Sequence, residues 1–141
     1  MPYSYLEHIS DVGIRAEAET LDGAFESGAE AMLNLIFDLS AIAVSEDITF
    51  GVEAGDLALT FVEALNEILF IIDRHSLALK GLRSVKIKQT DGGHLFTGTV
   101  FGEPFDPEKH TVKTEVKAAT YSGLSYKESE GKHVFECVLD V

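Results

Sequence analysis

The sequence predicts an α+β fold, a single-domain layered sandwich in which two main helices pack between antiparallel or mixed β-sheets. Three observations carry this. Two segments, 21–39 and 57–73, repeat apolar residues at helical spacing behind a capping residue. Both ends of the chain, and most of its second half, alternate apolar with polar residues as half-buried strands do. The second helical segment is apolar on nearly every side, from Leu57 through Phe61, Leu65 and Phe70 to Ile72, and needs cover over most of its girth. Two sheets clasping a helical layer would provide that cover, with this helix as the centre of the core.

In chain order, Tyr3 to Leu6 reads as a short opening strand. Val12, Ile14, Ala16 and Ala18 then face one way, while Arg15, Glu17 and Glu19 face the other. Thr20 can cap the first helix, with Asp22 in its first turn, and the apolar repeat runs to about Leu39. Asp22, Glu26, Glu30, Asn34 and Asp38 recur every four residues on the other side, as a solvated face does. Ile48 to Val52 reads as a strand, and Asp56 as the cap of the second helix, reaching Asp73. Glu63 and Glu67 inside that helix argue against a membrane span.

From Ser84 onward the pattern is β. Val85 to Gln89 alternates, Asp91-Gly92-Gly93 offers hairpin residues, and Leu95 to Phe101 returns. The two prolines in Gly102-Glu103-Pro104-Phe105-Asp106-Pro107 predict a loop that ends any central strand. Strands are expected over Thr111 to Tyr121, Leu124 to Lys127 and, after a turn at Glu130-Gly131, His133 to Asp140.

The chain has 141 residues and one cysteine. That length fits one domain with a folded surface of about 7,200 Å² and a core that needs no disulfide. Cys137 alternates inward with Phe135 and Leu139 and reads as a small buried apolar residue. With no leader and no bilayer-length apolar run, a soluble cytoplasmic protein is expected. The formal charge of −13 is unevenly placed: residues 1–79 hold 2 basic and 15 acidic side chains, and residues 80–141 hold 9 of each. Direct nucleic-acid binding needs clustered Lys and Arg, so it is not expected. A basic protein partner would suit the acidic part, although a solvated surface also accounts for it.

The usual catalytic devices are missing. There is no phosphate-cradling GxxxxGK[ST] loop, GxGxxG turn, GxSxG elbow or HExxH helix. The five histidines are scattered, and a Ser10, His8 and Asp11 triad is disfavoured because strand neighbours point to opposite faces. The two chain ends are more informative. Asp11 stands at a strand entrance, and the chain closes on Leu139-Asp140-Val141. If Val141 is the native end, its carboxylate, Asp140 and Asp11 would gather three carboxyl groups. Such a cluster needs a neutralising cation, and its all-oxygen donors suit calcium or magnesium. Two unrelated surface aspartates are the plainer alternative.

Several passages together resemble the archease family: Leu6-Glu7-His8-Ile9-Ser10-Asp11-Val12-Gly13, Leu65-Asn66-Glu67-Ile68-Leu69-Phe70, the run Gly102 to His110, Thr114-Glu115-Val116-Lys117-Ala118-Ala119-Thr120-Tyr121, and Leu139-Asp140-Val141. They span the full length in family order. The resemblance implies a non-enzymatic accessory protein to the RtcB-type RNA ligase of tRNA splicing, promoting guanylylation and turnover of the ligase. It also implies a helix layer between sheets, a calcium-type site at Asp11, Asp140 and Val141, and an activation role for Lys117. His8 would stand behind the ligands as a neighbour. A chaperone or modulator of other nucleic-acid-processing proteins is the alternative, and a stand-alone metal-dependent phosphoesterase is a further one. The chain departs from the family pattern at Ile9-Ser10, Ala64 and Ser122, none of them a proposed ligand.

Overall fold

The computed structural model describes residues 2–7 and 11–141. Their order is β1 (Tyr3–Glu7), β2 (Asp11–Ala18), α1 (Leu21–Ile36), a 3-10 turn at Leu39–Ala41, β3 (Glu46–Ala54), α2 (Leu57–His75), β4 (Leu77–Thr90), β5 (Gly93–Pro104), β6 (Ala118–Ser129) and β7 (Lys132–Asp140). One sheet runs β1-β2-β7-β6 and the other β3-β5-β4, with every pairing antiparallel. Each helix packs on strands of both sheets, so the helices form the middle layer. The chain exposes 7276 Å².

The helix starts follow the capping rule. Thr20 Oγ1 accepts from the Gly23 N–H at 3.0 Å, and Asp56 Oδ1 from the Leu59 N–H at 2.8 Å, each satisfying a first-turn donor. The first helix stops at Ile36, short of Leu39. Asp38 accepts from both the N–H and the hydroxyl of Ser40, which draws the backbone into a separate turn, and Phe37 is extended and bridged to Val112. The second runs past Asp73 to His75 and closes on Ser76 at φ 51°.

Four phenylalanines centre the core. Phe25 meets Phe61, Phe96 and Phe135 with ring centroids 5.0–5.5 Å apart, and Phe61 stacks on Phe135 at 4.4 Å. Gly28 lets α1 approach closely here, because a Cβ at that position would overlap the Phe61 ring. Cys137 is buried as expected, and burial pushes its thiol up to about 12.

The expectation for α2 needs correcting. It is α1 that lies deepest, with nine of its sixteen residues buried, whereas α2 buries seven of nineteen and leaves Phe70 53% exposed. An apolar composition does not guarantee a cover on every side.

Three strand limits also move. β4 begins at Leu77 instead of Ser84: Leu77, Ala78 and Leu79 are all buried, so they show no alternation. Register irregularities at Leu79/Gly81 and Arg83/Lys86 break the pattern further. β5, the central strand, continues through Gly102 and Glu103 to Pro104, which takes the last paired position opposite Leu77. Only Phe105 onward leaves the sheet. The strands expected separately over Thr111 to Tyr121 and Leu124 to Lys127 are one strand, which starts at Ala118 and reaches Ser129 through a register irregularity between Thr120 and Ser125. Residues 111–117 form a strap held by the Val112–Phe37 bridge and by the N–H groups of Lys113 and Lys117, which donate to Ile36 and Asp140 carbonyls, both at 2.7 Å. The turn at Glu130-Gly131 stands as read: φ values of 54° and 78° match the twist of the flanking β6 and β7.

Candidate metal and partner site

β7 lies between β2 and β6, and this insertion brings the start of β2 beside the end of β7. Asp11 is the direct cross-strand partner of Asp140, which on its other side pairs with Ala118. The β2–β7 register is continuous from Asp11 to Ala18. Ile14 and Ala16, with Cys137 and Phe135 opposite them, face the core, so the alternation sends Asp11 and Asp140 to the outer face together. Both are half-buried. Further along this face Arg15 reaches Glu17 at 3.3 Å and Glu136 at 3.4 Å.

Neither aspartate has an ion-pair partner among the described residues. Two carboxylates directly opposite one another in a ladder repel. The pair is therefore the kind of hard oxygen donor set that would suit a divalent cation, which would need further oxygen ligands beyond these two carboxylates. Among the described residues, no third His, Cys, Asp or Glu side chain joins them. Val141 follows Asp140 directly and packs its side chain toward the core. Lys117 is exposed, and its N–H donates to the Asp140 carbonyl, so the strap ends beside the aspartate pair. His8 lies outside the described residues.

Two positioning features escape a reading of the sequence. Asn66 on α2 donates from Nδ2 to the Ala119 carbonyl at 3.0 Å and accepts the Ala119 N–H on Oδ1 at 2.8 Å. The second is a clamp on Glu103. Its carboxylate accepts from Lys109 Nζ at 2.8 Å and from the Ala43 N–H at 2.9 Å, and lies 2.8 Å from His110 Nε2. His110 Nδ1 accepts the Asp106 N–H at 2.9 Å, so the ring's remaining proton sits on Nε2 and is donated to Glu103. Lys109, then the Ala43 N–H and His110, hold the Glu103 carboxyl at about 2. The clamp fixes the root of the strap. Its only sequence signal was an acid and a histidine seven residues apart.

The chain matches the Archease protein family (MTH1598/TM1083) over residues 3–141. The chain belongs to the archease family. It is 36% identical to protein archease of Pyrococcus furiosus over 140 residues, covering 99% of this chain and 98% of that one. It is 32% identical to protein archease of Methanopyrus kandleri over the whole of both chains. The solution structure of Methanobacterium thermoautotrophicum protein 1598 superposes with a TM-score of 0.87 at 28% identity, over 99% of each chain. An archease from Thermotoga maritima, described as a possible chaperone, shares the fold with a TM-score of 0.63 at 17% identity, over 96% of this chain and 94% of that one. The archease fold is thus the observed one: two helices layered between two antiparallel sheets. No described helix of this archease-family chain is long and apolar enough to cross a membrane.

Proposed function

We propose that this protein activates an RtcB-type tRNA-splicing RNA ligase, promoting guanylylation and turnover of the ligase without being an enzyme itself. The observation that carries the reading is the direct pairing of Asp11 with Asp140 on one sheet face, with the Lys117 end of the strap bonded to Asp140. Asp11, Asp140 and, where Val141 ends the chain, its carboxylate would hold a divalent cation, calcium by the hardness of the donors. Held by these carboxylates, such a cation would supply positive charge to a phosphate of the partner's reaction. The chain's own part is to present two carboxylates from a rigid ladder and one ammonium, Lys117, from the strap. Lys117 is suited to meet phosphate or a partner carboxylate as a point charge.

The test is ligase guanylylation with purified ligase, GTP and calcium. Asp11→Ala and Asp140→Ala are expected to fold normally, by circular dichroism, and to give no stimulation. Lys117→Ala should weaken stimulation. Full stimulation by either folded aspartate variant rejects the proposal. A chaperone for other nucleic-acid-processing proteins is the second reading, favoured by the description of the Thermotoga maritima relative. It predicts that unrelated clients are kept from aggregating whether or not Asp11 is present.

A further inference from the structure

Between α2 and the 111–117 strap runs an apolar groove of about 660 Å³. Phe37, Leu69, Ile72, Phe105 and Val116 line it, and Phe70 and Val112 stand on its rim with 53% and 49% of their surface exposed. The volume lies within the range of sites that hold a ligand, roughly 300–1,000 Å³. Together with the groove, Phe70 and Val112 form one contiguous apolar patch, the setting in which docking sites are found.

Charge narrows the occupant. Asp73 from α2 and Glu115 from the strap both line the groove, both are exposed, and neither has an ion pair among the described residues. Lys117 is the single lining cation, and Arg74 lies over the Phe70 ring at 5.8 Å. The α2 wall also belongs to the part of the chain that carries the whole acidic excess. With Arg74 turned to the Phe70 ring, the lining itself holds two carboxylates against one ammonium. Asp73 or Glu115 can take a positive group that sits beside an apolar one. A second copy of this chain, itself at −13, would meet repulsion.

The backbone narrows it further. The N–H and C=O groups of Thr114, Glu115 and Val116 have no main-chain partner among the described residues. An extended peptide can pair with such groups and seat one side chain in the adjoining groove, whereas a small apolar molecule uses neither the amides nor the carboxylates.

We infer that this groove docks a short extended segment of a partner protein in which a large apolar side chain neighbours a Lys or Arg. The inference uses neither Asp11 nor Asp140, so failure of the ligase reading leaves it standing, and its own failure leaves that reading untouched.

The experiment is an amide chemical-shift titration of the isotope-labelled full chain with three pools of eight-residue peptides. One fixes Leu beside Arg, one fixes Leu beside Glu, and one fixes Ser beside Arg, with Ala, Gly and Ser elsewhere. Signals of Phe70, Val112, Glu115 and Val116 should move with the Leu–Arg pool, and the other two pools should bind about tenfold more weakly or worse. Phe70→Asp, at an exposed position, should abolish the shifts, and Asp73→Lys with Glu115→Lys should turn the preference toward the Leu–Glu pool. No movement at these residues with any pool, equal binding of the Leu–Arg and Leu–Glu pools, or undiminished binding by Phe70→Asp overturns the inference. Shifts at the same residues on raising protein concentration without peptide would also overturn it, in favour of self-association.

Discussion

Asn66 of α2 grips Ala119 of β6 by both ends of its side-chain amide, with bonds of 3.0 and 2.8 Å to the carbonyl and the N–H. The amide acts as a substitute strand partner at the point where the β6 ladder begins. It ties the helix layer to the sheet that carries Asp140, two residues from Lys117. Asn66→Ala removes both bonds and leaves a part-buried main-chain pair exposed to no replacement. The expected loss is about 2 kcal/mol of unfolding free energy, read by urea denaturation. A loss below about 0.5 kcal/mol would mean that the clamp is replaced by water.

Metal binding should show as a change of sign. Without divalent ions, Asp11→Asn relieves the repulsion with Asp140 and should raise stability by a few tenths of a kcal/mol, about the scale of one cross-strand pair. With millimolar calcium the order should reverse, the unaltered protein gaining melting temperature and the variant gaining none. Thermal unfolding with chelator and with calcium decides it, and parallel behaviour of the two proteins would remove the cation from the proposal.

Residues appended after Val141 should weaken calcium binding if a terminal carboxylate is a ligand. Equal affinity by calorimetry, with and without the tail, would assign the cation to the two aspartates alone.

At Gly28 two effects oppose each other. Alanine in a helix interior is better than glycine by about 0.5–1 kcal/mol. Here its methyl group would overlap the buried Phe61 ring, which is stacked on Phe135 and has little room to retreat. Overpacking of this kind costs about 1–3 kcal/mol, so Gly28→Ala should lower stability on balance. A melting temperature at or above that of the unaltered protein would show that α1 shifts freely.

The Glu103 clamp makes a pH prediction. Its carboxyl is held at about 2, below the ordinary 4.5, so the folded state favours the charged form. The stabilisation is fully present above pH 4.5 and is lost as the pH falls toward 2. Glu103→Gln should therefore be less stable than the unaltered protein at pH 7, with the gap closing between pH 4.5 and 2. Chemical denaturation at several pH values measures the gap, and a constant gap across that range would contradict the assigned ion pair.

The identity and order of most elements were legible in the sequence, because caps and periodicity are local. Thr20 and Asp56 mark both helix starts, the Ile14/Arg15 alternation sorts the two faces of β2, and Glu130-Gly131 marks its turn. Element limits failed where a residue's environment is not local. Leu77 to Leu79 is buried on both faces and hides β4. Val116 alternates in burial like a strand residue although the strap has no ladder there. Asp38 ends α1 through a side-chain bond that competes with the helix.

Sequence alone determined which residue types could form the candidate site, since the carboxylates of Asp11 and Asp140 are chemistry that needs no fold to name. Only the tertiary structure decided that Asp11 and Asp140 meet on one face. That required β7 to insert between β2 and β6 in a single register, and a shift of one residue would have turned one of the two carboxylates toward the core. The tertiary structure alone likewise opened the groove beside Phe70, because how much of an apolar helix is covered depends on neighbours more than thirty residues away along the chain, at Phe105 and Val116.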